Sequence, residues 1–170
     1  MIKRIILIFI FSIFITNVYP AITDKDHGPG GPEDKKKKGP PPAKKFKLGF
    51  KEMKRAIKLE KKGKIKKAKI KYEKALRFLL EANSSNPGNP DILNYLGYIY
   101  EKMNDLEYAE IYYRLALEID PNNNITNEYL GKFYLTTNRK SKALERLKVL
   151  KNCNCKEYNE LKKSIEEKYN

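Results

Sequence analysis

The residues able to do covalent or redox chemistry are few in this 170-residue chain. Cys153 and Cys155 are its only cysteines and stand one residue apart. Two sulfurs at that spacing could close on each other in an oxidising compartment, exchange with other thiols, or hold a two-coordinate Cu(I) ion. An i, i+2 pair lies near the upper limit of the Cα separation a disulfide spans, and so short a loop adds little entropic stabilisation. The preferred expectation is a local disulfide with no free thiol. His27, the only histidine, lies in a Pro/Gly-rich stretch, so the folded part has no imidazole to act as a base or ligand. A Gly-rich phosphate loop and a metal-spaced His cluster are both missing. The chain is expected to be non-enzymatic, with no cofactor and no metal.

A second set of residues suits recognition. Asp91, Asn94, Tyr98, Glu101 and Lys102 share one face if residues 90–102 are helical, and Ile125, Glu128, Lys132, Leu135 and Thr136 occupy the matching face one repeat later. Amide, phenol and both charge signs together could hydrogen-bond a peptide backbone and seat one or two apolar side chains. Tyr98 is the favoured contact, because Tyr offers large area at low ordering entropy.

These stripes need helices to hold them. Asn89 can cap a helix that Pro90 begins. Leu93, Leu96, Gly97 and Tyr100 then fall at i, i+3, i+4 and i+7, Asn104 and Asp105 mark a turn, and Ala109, Tyr113 and Ala116 form the facing stripe. Thirty-four residues later Leu96, Gly97, Tyr100 and Ala109 recur as Leu130, Gly131, Tyr134 and Ala143, while Leu147 and Leu150 stand for Tyr113 and Ala116. Upstream, Ala68, Tyr72 and Ala75 repeat Ala109, Tyr113 and Ala116 at a spacing of 41. The extra seven residues are two helical turns and keep nearly the same face. Arg55 and Ala56 then stand where Leu and Gly would.

The run Leu96, Gly97, Tyr100, Ala109, Tyr113, Ala116 and Pro121 resembles the tetratricopeptide repeat (TPR) motif, and most of residues 46–169 is similar to small exported bacterial TPR proteins. The resemblance implies an all-α fold: a TPR-type α-solenoid of about three helical hairpins plus a C-terminal capping helix. Repeats are expected at about 46–89, 90–123 and 124–154, with the cap at about 156–169, where Tyr158, Leu161, Ile165 and Tyr169 make one more stripe. It also implies that the first helix of each pair lines a concave face where partner peptides or helices lie. Family members that clamp a C-terminal carboxylate use Lys, Asn and Arg there. Only Asn94 and Lys132 are of suitable type, so such a partner is not favoured.

The first 45 residues read differently. Met1–Arg4 is basic and Ile5–Thr16 is apolar except for Ser12, shorter than the ~20 residues of a membrane span. Residues 1–21 are expected to be a signal peptide or N-terminal anchor, placing the protein in the periplasm or at the inner membrane facing it. Residues 22–45 are expected to be a disordered basic Pro/Gly linker. Residues 1–71 hold 21 Lys or Arg and 6 Asp or Glu, against 15 of each in 72–170, so the whole net charge of +15 lies in front. Lys dominates and few aromatics interleave, which argues against nucleic acid. The expected function is a protein–protein adaptor of the bacterial cell envelope that binds a peptide or helix. The alternative is a basic N-terminal region that binds an anionic membrane surface or polyanion, with the repeats as scaffold.

Overall fold

The computed structural model describes residues 41–169, which hold seven α-helices and no strand. They are α1 (Pro42–Glu60), α2 (Ile65–Ser85), α3 (Pro90–Lys102), α4 (Leu106–Ile119), α5 (Asn124–Thr136), α6 (Lys140–Leu150) and α7 (Lys156–Tyr169). Paired as α1–α2, α3–α4 and α5–α6 with α7 following, they form the expected solenoid. The expected signal or anchor segment lies outside the described residues, as does all of the expected linker before residue 41. Helix α1 starts at Pro42, four residues ahead of the expected domain start. Pro at the first helical position lacks only an N–H that would have had no intrahelical partner.

Local sequence sets the helix ends. The Asn89 side chain accepts from the Ile92 N–H at 3.1 Å, and that of Asn123 accepts from the Thr126 N–H at 3.0 Å, so the same cap opens α3 and α5. Each hairpin turn carries one residue in the left-handed region: Gly63 (φ 69°), Asn104 (φ 64°) and Asn138 (φ 58°). In each, the next residue's N–H returns to a carbonyl five residues back, Lys64 to Leu59, Asp105 to Tyr100 and Arg139 to Tyr134. Three copies of one helix-ending turn, 41 and 34 residues apart, fix the register of all three hairpins.

The first hairpin is two turns longer at its open end. Near its turn the 41-residue spacing holds: the Tyr72 hydroxyl donates to Glu60 at 2.7 Å, as that of Tyr113 donates to Glu101 at 3.0 Å. Near its open end the 34-residue spacing holds, with Ala75, Leu79 and Ala82 as fully buried as Ala109, Tyr113 and Ala116. Both registers fit because seven residues return nearly to the same face.

Gly97 packs where a Cβ would come within 2.7 Å of the Tyr113 ring, and Gly49 likewise meets Leu79. The third hairpin differs. A Cβ on Gly131 would meet Leu161 of α7 at 2.5 Å rather than Leu147, the successor of Tyr113. Helix α6 is only 11 residues long and Leu147 is smaller than Tyr113 and only partly buried, so α7 fills the space. Buried Leu161 and Ile165 and a Lys168 ammonium bonded to the Leu135 carbonyl fasten this cap. Buried apolar residues divide into two clusters, one from α1 to α3 and one from α4 to α7, as a stack of units that each bury a neighbour's face requires.

Candidate peptide-binding groove

Helices α1, α3, α5 and α7 touch in sequence, α1 to α3, α3 to α5 and α5 to α7, whereas α2, α4 and α6 make no contact with one another. The stack therefore closes toward its odd-numbered helices. That inner face carries the stripe expected from sequence.

Asn94 is only 2% exposed, and its Oδ1 is buried without a hydrogen-bond partner. Tyr98 is half-buried between Tyr72 (ring centroids 6.3 Å) and Tyr129 of α5 (5.4 Å). The Lys102 ammonium lies 5.6 Å from the Tyr98 ring and 3.0 Å from the Glu60 carboxylate, a bridge between the first two hairpins. Asp91 is exposed at the start of α3. Asn94, Tyr98 and Lys102 thus stand together on one helix face, flanked by Tyr129.

Other expected contacts serve different purposes. Glu101 accepts the Tyr113 hydroxyl and ties α3 to α4; burial pushes its carboxyl above the usual range, against the lowering pull of that bond and of Lys102. Glu128 is buried and paired with Lys132 at 2.6 Å, and Lys132 also lies 3.9 Å from Glu160 of α7. Leu135 is buried too. The α5 stripe is therefore largely covered by the cap, and the open part of the inner face belongs to α1 and α3. Ile125 and Thr136 remain exposed at the two ends of α5.

Sequence reasoning missed an aromatic series. Phe46 and Phe50 of α1 pack on Tyr95 of α3 at 6.1 and 5.1 Å between ring centroids. Tyr95 and Tyr129 are 34 residues apart, an identity the repeat spacing could have shown. All four rings are half-buried. Burial pushes the Tyr129 phenol up to about 12, with Glu128 adding to it, and raises Tyr95 and Tyr98 as well, so these hydroxyls stay protonated and can donate.

Cys153 and Cys155 are bonded to each other in the turn before α7. Their Cα atoms are 5.1 Å apart, well inside the usual span rather than near its limit. Asn154, at φ 47°, turns the tripeptide back on itself and brings the sulfurs together.

Residues 90–123 match the family model for the tetratricopeptide repeat. Among solved structures, the first TPR of Spaghetti (RPAP3), bound to the HSP90 peptide SRMEEVD, is 19% identical, with a TM-score of 0.51 over 72% of this chain and 94% of that one. The C-terminal TPR-containing domain of a Plasmodium falciparum FK506-binding protein is 22% identical, with a TM-score of 0.44 over 76% of this chain and 95% of that one. No curated protein matches the sequence. The described residues are a TPR-type all-α solenoid, with a tetratricopeptide repeat at 90–123 as its central hairpin.

Proposed function

We propose that the protein is a non-enzymatic adaptor that binds a peptide segment of a partner protein along the inner faces of α1 and α3. The carrying observation is the half-buried aromatic surface of Phe46, Phe50, Tyr95, Tyr98 and Tyr129 beside the unpartnered Asn94 amide oxygen. An amide oxygen buried without a partner costs about 1–3 kcal/mol, and a ligand N–H recovers that cost once the Asn94 side chain, only 2% exposed, turns outward to meet it. The rings supply apolar area at low ordering entropy. The neighbouring charges are already paired, Lys102 with Glu60 and Lys132 with Glu128, which favours a ligand read by apolar side chains and backbone over one read by charge. The similar Spaghetti domain, bound to an HSP90 peptide, supports a peptide as ligand class. The basic start and apolar run of residues 1–21 support export to the cell envelope.

Selection of peptides from a random library against the full chain tests the reading. It expects sequences carrying an aromatic or large aliphatic residue, whose binding falls about tenfold or more in Asn94→Ala or Tyr95→Ala while the melting temperature shows the variant still folded. Selected peptides that bind both variants like the parent chain would overturn it.

A further inference from the structure

The groove does not use the turn end of the first hairpin, which has a chemistry of its own. From Lys61 to Tyr72 the chain reads KKGKIKKAKIKY, seven lysines with no carboxylate. Only Lys71 has an ion-pair partner among the described residues, Glu52 at 3.2 Å. Of the bordering carboxylates, Glu60 is occupied by Tyr72 and Lys102, and Glu73 is exposed one turn beyond Lys69. Six ammonium groups are thus left to solvent, three in the connection between α1 and α2 and three at the start of α2. Between them stand Ile65 and Ile70, each 61% exposed, the two most exposed large hydrophobic side chains in the described structure. The turn itself stands clear of the fold, since a Cβ on Gly63 would meet nothing within 4 Å.

We propose that this turn end docks on an anionic lipid bilayer, with the lysines at the headgroups and Ile65 and Ile70 entering the acyl boundary. Unpaired like charge calls for an anionic surface, and each lysine brought to one strengthens partition about fivefold. The choice among anionic surfaces rests on what lies between the charges. Single-stranded nucleic acid rewards aromatic stacking and arginine forks, and this segment has no arginine and only the buried Tyr72. A bilayer offers what the segment can use: an apolar layer for two aliphatic side chains directly beneath a charged one, with lysine stems long enough to lie along the boundary. The surface is separate from the groove, so either can fail without the other.

The chain has no tryptophan, so Ile65→Trp and Ile70→Trp each place a single indole at the proposed contact. With the full chain and vesicles of phosphatidylcholine plus phosphatidylserine, the indole emission should move to the blue and be quenched by brominated acyl chains. Pure phosphatidylcholine should leave the emission unchanged, even if another part of the chain holds the protein to those vesicles. Ile65→Ser with Ile70→Ser, which keeps every charge, should weaken binding to the mixed vesicles about tenfold. Asn94→Ala should not change it. An indole that stays in water while the protein sediments with the anionic vesicles would overturn the proposal. So would an emission shift produced by heparin or RNA but not by vesicles.

Discussion

Substituting Gly97 by Ala tests the central packing contact with a single methyl group. Its Cβ would lie 2.7 Å from Tyr113 Cδ1 and 2.9 Å from two more atoms of that ring, distances at which something must move. Tyr113 has little freedom to give way. It is fully buried, its hydroxyl is bonded to Glu101, and its ring lies 6.0 Å from that of Phe133. Overpacking of this kind costs about 1–3 kcal/mol, while removing a mid-helix glycine returns up to about 1 kcal/mol. The net expectation is a loss of about 1–2 kcal/mol, or roughly 3–8 °C in melting temperature for a chain this long. Gly131→Ala meets only the methyl ends and Cγ of Leu161, on a terminal helix that can shift, and should stay within about 1 kcal/mol of the parent. Thermal and urea unfolding followed by circular dichroism measure both. A Gly97→Ala variant as stable as the parent, or a Gly131→Ala variant less stable than the Gly97→Ala one, would refute the packing described for these hairpins.

Three more outcomes are expected. Leu161→Ala should cost about 2–5 kcal/mol and speed amide exchange in α5 and α7 together, since Leu161 fills the space over Gly131. Burial pushes the Glu60 carboxyl up, but hydrogen bonds from Tyr72 and Lys102, with the Lys102 charge, leave it below its unfolded value of 4.5. A depressed carboxyl stabilises the fold above the unfolded value and loses that contribution as pH falls through the folded one. Glu60→Gln should therefore flatten the fall in stability below pH 4.5. Unreduced protein should show no free thiol, and replacing both cysteines by Ser should cost no more than about 1.5 kcal/mol, because the closed loop is so short.

The fold was legible because its signals repeat. Leu-Gly pairs, Asn caps and left-handed turn residues recur at 34 or 41 residues, and each recurrence marks the same physical need: close helix approach, an orphan N–H, a reversal of the chain. The role of Gly131 was not legible. Which helix meets it depends on the size of Leu147 and the shortness of α6, and those are settled in three dimensions. The site was half legible. Asn94, Tyr98 and Lys102 come together as their spacing implies, but Glu101 and Glu128 turn to internal partners, since a side chain beside the packed stripe can face either way by a small helix rotation. Tyr95 was passed over because it lies one position outside the stripe through Asn94 and Tyr98. The half-exposed surface is wider than one file of residues.

The groove reading stands or falls on where a bound peptide touches. Assigned NMR spectra of the full chain, titrated with a library-selected peptide, locate the contact directly. The largest shifts should fall at Phe50, Asn94, Tyr95 and Tyr98, along the inner faces of α1 and α3. Shifts confined to Tyr108, Ile111 and Leu115, the exposed apolar face of α4, would contradict it.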